Sequence, residues 1–585
     1  MAVRIPAFLG LIFTLAAGFA QNRQEAGKGA VQPNSDPNYR ALREATPNKT
    51  VRVSNLRIER DAAVFLLKSG LITFAAPVLD RVTTAVFSGD GEFQFMPALP
   101  IEVSYLKALT GKQDVTEPFD ALALQFTDGT YDEIMKAAQP AEIDSKARGI
   151  LQDFRKRARY NTEHPRSGLE AGLTGEGVAN FDTEVLAGLY NPAAPGFFRA
   201  FIFGKKHNDL RFIVNSLGAF PQMMAPEEVA LLNLDPGGAE EGVWYLSHTL
   251  DEMRANRASS EEDKRIIDAE HYRIENVIRG TRLTAVSELT FKALRAGDRV
   301  LSFGLLPSLR VTRVVFADRD IAFIQENRKD DGAFAAVLPE PLVKDQSYKI
   351  RIEYSGDKVL SNEGGGNFSV GARTSWYPSL NAFNDRATFD LIFKVPRNFT
   401  LVSVGNRVEE HREGDLAVSQ WVSKVPLAVA GFNYGQFKRK DLADTETRHA
   451  IEGYATSELP GYLKEFGDEI MSTSPSSLTN KALAETQASL KIFTRYFGES
   501  PYGRIAITQQ PELAFGQSWP MLVYLPIIAY LDSTQRWKMF GINNRLTEFI
   551  QEVTPHEVAH QWWGHIVGWA SYHDQWLSEG FADFS

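Results

Sequence analysis

Residues 554–564 read Thr554-Pro-His-Glu-Val-Ala-His-Gln-Trp-Trp-Gly564, and residues 576–580 read Trp576-Leu-Ser-Glu-Gly580. Side chains four apart on a helix share one face, so His556 and His560 can hold one cation between them. Glu557 lies one step round, close enough to touch a ligand of that cation without being one. Glu579, nineteen positions after His560, supplies a third donor if a second helix packs antiparallel against the first. Two imidazoles and one carboxylate leave a fourth position for water, as in a catalytic zinc site. The spacing therefore predicts one zinc ion held by paired helices at the C-terminal end of the chain.

Local chemistry allows two versions of the first helix. Thr554-Pro555 fits an N-cap followed by proline at the first helical position. Glu557 would then complete a capping box, which turns its carboxylate toward backbone and away from a metal. Alternatively the helix runs through from Asn544 with Pro555 inside it. The metal reading needs the second version, or the first without the reciprocal Glu557 contact.

Composition narrows the rest. The 585 residues are 44% hydrophobic and 23% charged, a globular balance with material for several domains. A net charge of -10, from 63 basic and 73 acidic side chains, repels phosphate backbones, so nucleic acid is not an expected partner. Cysteine is absent, so any metal must be held by His, Asp and Glu. Met1–Arg4 carries one positive side chain, Ile5–Ala20 is apolar, and Gly18 and Ala20 are the small residues of a cleavage site. Residues 1–20 thus read as a signal peptide. The alternative is a membrane anchor, although a span needs about 20 apolar residues. Export without cysteine suits a bacterial envelope, periplasmic or extracellular, with no integral membrane span once the signal is removed.

Between these ends the texture changes three times. Residues 21–50 are polar and read as a linker. Residues 51–260 form a β-rich extension, with strand-like runs such as Val51–Ile58, Phe201–Phe203 and Leu210–Val214, and a helix-like stretch from Tyr131 to about Tyr160 that Pro140 interrupts. This extension offers no recognisable chemistry. Residues 261–438 contain clear β runs, Leu283–Phe291, Tyr348–Tyr354 and Ala387–Val395, separated by turn residues, which predicts an antiparallel sandwich or saddle. Gly364-Gly-Gly366 lacks the Lys-Ser/Thr of a phosphate loop and reads as a flexible turn. Residues 439–585 read as mainly α, with helical periodicity over Leu483–Tyr496 and Trp537–Val553.

The segments His556–Gly564 and Trp576–Ala582 resemble the gluzincin peptidases of the aminopeptidase N family, peptidase family M1. The resemblance extends through Tyr496-Phe-Gly-Glu-Ser-Pro-Tyr502, Trp376-Tyr-Pro378, Val402-Ser-Val-Gly405 and Pro426–Phe437, covering about Tyr272 to Ser585. It implies an aminopeptidase N-like β domain over 261–438 and a thermolysin-like zinc catalytic domain over 439–585. It also implies peptide or protein substrates, one zinc ion on His556, His560 and Glu579, and Glu557 as the general base toward water. Asp583, one turn beyond Glu579, is either a hydrogen-bond partner for a ligand imidazole or an ordinary exposed carboxylate.

The pattern departs from the family at two places. Its exopeptidases grip the substrate's free amine with a glutamate in a Gly-Ala-Met-Glu-Asn motif. The nearest segment here is Ala514-Phe-Gly-Gln-Ser-Trp519, which puts Gly516 and Gln517 at the substrate and a neutral amide where the charge should be. Gln517 as plain loop polarity is the alternative. The resemblance also places an oxyanion tyrosine beyond Ser585, so the catalytic domain reads as incomplete and the chain as truncated after its third zinc ligand. The expected activity is zinc-dependent peptide hydrolysis. The competing expectation is a weak or inactive peptide-binding scaffold on a peptidase-like frame, and an epoxide or ester hydrolase ranks last.

Overall fold

A computed structural model describes residues 31–158, 180–220, 224–235, 240–327, 333–370, 375–466, 474–531, 533–541 and 544–585. The expected signal peptide, 1–20, and the first part of the expected linker, 21–30, lie outside the described residues.

The second part of that linker is structured. Helix Pro37–Glu44 begins on Asp36, whose carboxylate accepts the Asn38 and Tyr39 N–H groups at 3.0 and 2.9 Å, with Pro37 at the first helical position. Tyr39 and Leu42 bury against Val185, Leu186, Ile324 and Val337, and strand Pro47–Arg60 follows at once. Two apolar side chains in a polar stretch thus dock the segment that composition alone marked as a linker.

Among the described residues, 47–247 form a nine-stranded sheet in which every neighbouring pair is antiparallel. The helix-like stretch near 131–160 divides into Thr130–Ala137 and Ala147–Ala158, with the short edge strand Gln139–Ala141 between them. Pro140 sits in that edge strand, a position where a missing N–H is tolerated.

The next block is an eight-stranded sheet with smaller sheets beside it. Its strands Ile267–Arg279 and Arg282–Ala293 alternate buried and less buried side chains almost without exception, which keeps their register fixed. One pair departs from the expected antiparallel order: Ile267–Arg279 runs parallel to Thr388–Pro396, so the sheet is mixed. A connection longer than a hairpin is what makes a parallel pair possible, and here more than a hundred residues intervene.

The last block holds the expected helices around a five-stranded sheet of Phe437–Ala443, Ala450–Thr456, Arg504–Gln509, Leu522–Leu525 and Gln517–Trp519, in that spatial order. The boundary expected after Lys438 falls inside the first of these strands. Arg504–Gln509 and Leu522–Leu525 pair in parallel and are buried at every position, as a sheet covered on both faces requires. One face meets the helices through Ile505, Ile507, Val523 and Leu525. The other, through Ala506, Leu522 and Tyr524, belongs to the same apolar cluster as the eight-stranded sheet. No helix among the described residues is long and apolar enough to cross a membrane.

Candidate metal centre

Helix Asn544–Ala559 runs through Pro555, so the continuous version of the motif helix is the one that forms. Thr554 is not its cap. The Thr554 hydroxyl is buried and donates instead to Glu485 of the long helix Pro475–Phe497 at 3.1 Å. Glu557 is thereby released from any capping box. The final helix, Gln575–Phe584, packs against the motif helix and brings Glu579 to the histidine pair.

The donor atoms converge tightly. His556 Nε2 and His560 Nε2 are 3.1 Å apart, and Glu579 Oε2 lies 3.4 Å from the first and 3.6 Å from the second. Metal–ligand bonds of about 2.0–2.2 Å at tetrahedral angles put donor atoms roughly 3.3–3.6 Å apart, so the three atoms mark one face of a zinc tetrahedron. Tautomers agree. His560 Nδ1 donates to the Trp563 carbonyl at 3.0 Å, and His556 Nδ1 donates to Asp583 Oδ1 at 2.8 Å. Each ring therefore turns Nε2 toward the other ring and toward Glu579, and with Nδ1 the donor outward it is Nε2 that a cation would take. The donor set fits zinc.

Electrostatics follow from the packing. Hydrogen bonds from His556 and His560 hold the Glu579 carboxyl well below the usual carboxylate range. His556 is raised: burial works against it, but the hydrogen bond to Glu579 and the charges of Glu557 and Asp583 outweigh that cost. Glu557 is 5% exposed, and burial pushes its carboxyl up to about 7, with the two histidines pulling the other way. The backbone of Gly516 lies directly against that carboxylate, so close that a β-carbon at 516 would collide with it. A larger residue at 516 would have to displace the Glu557 carboxylate.

All seven residues singled out in the sequence, Gly516, Gln517, His556, Glu557, His560, Glu579 and Asp583, line one cavity of about 400 Å³. Gln517 opens the edge strand Gln517–Trp519, which forms one wall. Asp583 Oδ1 lies 2.8 Å from His556 Nδ1, on a side chain that is itself largely exposed.

Other supports had no signal in the spacing. Gln561 donates to Ser518 Oγ and to the Trp519 carbonyl at 2.8 and 2.9 Å and accepts the Met521 N–H at 2.8 Å, tying the motif helix to the edge strand. His565 Nε2 donates to the Ser518 carbonyl at 3.1 Å, and burial lowers its pKa to about 3, so it stays neutral.

A second group, Glu228, His248 and Glu252, also brings three donor atoms together. There the Lys264 ammonium already pairs with Glu228 and lies 3.1 Å from Asp263.

Residues 485–585 match the peptidase family M1 domain model. Human endoplasmic reticulum aminopeptidase 2 is 24% identical over 196 residues, which is 32% of this chain and 17% of that protein. Aminopeptidase N of Acetobacter pasteurianus is 30% identical over 117 residues, 19% of this chain and 31% of that protein. An M1 zinc metallopeptidase from Deinococcus radiodurans, solved as a crystal structure, is 21% identical with a TM-score of 0.41, covering 54% of this chain and 69% of its own. The chain thus spans less than a third of either curated relative. Its helix pair and donor set define a two-histidine, one-carboxylate centre of the kind zinc hydrolases use. Over residues 485–585 the chain is similar to the peptidase family M1 domain.

Proposed function

We propose that this chain carries the metal centre of an exported zinc metallopeptidase that hydrolyses peptide bonds, aminopeptidase-like in its frame. The observation that carries this reading is the convergence of His556 Nε2, His560 Nε2 and Glu579 Oε2 at tetrahedral spacing beside the buried Glu557 carboxylate. Bound zinc supplies Lewis acidity, which polarises a carbonyl and brings the pKa of water to about 7. Glu557, buried beside the ligands, is placed to take a proton at its carboxylate and return it to the leaving amine. Asp583 and the Trp563 carbonyl hold the imidazoles in the ligating tautomer. The edge strand offers its backbone to an extended peptide beside them.

The test is zinc content and hydrolysis of the complete protein. One zinc per chain, with Glu557→Gln keeping that zinc and losing at least about 10²-fold in kcat/KM, is the expected outcome. Hydrolysis that survives the change overturns the mechanism. Gln517 favours a second reading, a peptide-binding frame with little turnover, because an amide gives an ammonium no full charge. Zinc and peptide binding without turnover in the wild-type protein would select it. Comparable hydrolysis of free-amine and N-acetylated peptides would instead locate the consequence of Gln517 in specificity alone.

A further inference from the structure

The final helix buries little of its own surface. Only Ser578 and Ala582 of its ten residues are buried, and the Glu579 side chain is 65% exposed. Besides its contacts with the motif segment, where Phe581 stacks on Trp563 and Asp583 meets His556, it has a second hold.

That hold comes from the connection that leads into the helix. Glu227 precedes strand Val229–Asn233 of the nine-stranded sheet and is buried. Its Oε1 lies 2.6 Å from His573 Nε2, and its Oε2 accepts from the Tyr572 hydroxyl at 3.4 Å. The Tyr572 ring packs on the apolar cluster of that same unit, which includes Phe154, Phe201 and Phe220. Two residues earlier the Ala570 carbonyl accepts the Glu262 N–H at 2.9 Å. A buried carboxylate is tolerated only where its hydrogen bonds are made, and for Glu227 the side-chain partners come from the short turn Tyr572–Asp574 that opens into the final helix.

Resting on the zinc reading above, we infer that Glu227 is a positioning residue for the metal centre. The N-terminal extension, through His573 and Tyr572, helps set where Glu579 stands. This gives the 51–260 region a part in the site although it contributes no donor to it.

The experiment measures zinc affinity of the full chain by competition with a chromophoric chelator, alongside hydrogen exchange of residues 575–584 in the metal-free state. Glu227→Gln is expected to weaken zinc about tenfold at unchanged stoichiometry, recoverable at saturating zinc, and to speed exchange in the final helix. Tyr572→Phe should do the same to a smaller extent, about threefold, since its contact is the longer one. Asp251→Asn, an exposed change on the same extension, should alter neither. A Glu227→Gln chain with a lower Tm but wild-type zinc affinity and exchange overturns the inference, because a merely structural carboxylate would give that pattern. Should that variant fail to fold, His573→Asn carries the same two readouts from the exposed side of the contact. Absence of zinc uptake by the wild-type chain sinks the metal reading, and the metal-free exchange measurement still decides whether Glu227 places the helix.

Discussion

Glu228, His248 and Glu252 crowd three donor atoms together as closely as His556, His560 and Glu579 do, yet the two groups are chemically opposite. Around His248 a single nitrogen faces both carboxylates, at 3.1 and 3.5 Å, and the Lys264 ammonium neutralises the buried Glu228. There a cation of the chain's own already pairs with a carboxylate of the group. In the C-terminal group both Nδ1 atoms are engaged outward, so two Nε2 atoms and a carboxylate face one spot. The lesson is that proximity of histidine and glutamate does not define a metal site. The protons and counter-charges already committed to other partners do.

Three changes, the first set against a control at Glu252, would break or sharpen this contrast. The largest expected effect is on zinc itself: Glu579→Gln should weaken binding roughly 10²–10³-fold, a ligand's share of the total for such sites, whereas Glu252→Gln leaves affinity and stoichiometry unchanged by isothermal titration. Next, Lys264→Met leaves Glu228 buried without its cation and should cost about 3 kcal/mol in urea unfolding, with no change in the chelator competition. Smallest is Asp583→Asn, which keeps a hydrogen-bond acceptor but removes the charge on His556 Nδ1. Zinc affinity should drop about tenfold, or about 1.4 kcal/mol. If all three moved zinc binding equally, the distinction between the groups would fail.

Much of the site was readable because its chemistry is local. His556, Glu557 and His560 occupy five residues, and Glu579 follows within one helix–turn–helix of them. The strand alternation of Leu283–Phe291 was equally plain, since one face of that strand meets the core. What escaped was long-range. The Glu227–His573 contact joins residues 346 apart, each an ordinary polar side chain in its own neighbourhood. Arg504–Gln509 is buried throughout, and a short run without alternation cannot be told from buried helix by period. Helix Pro37–Glu44 was hidden by its polar composition, although Asp36-Pro37 is a fair start signal in hindsight. The choice between the two versions of the motif helix also lay outside local sequence, because the long helix's Glu485 claims the Thr554 hydroxyl.

The five-stranded sheet is shared property. One side of it completes the interior of the helices, and the other completes the interior of the large β block through Ala506, Met521, Leu522 and Tyr524. Excising the zinc-bearing part as a stand-alone module would therefore strip an oily face bare and invite clumping. Swapping that part between relatives succeeds only if the underlying β block travels with it.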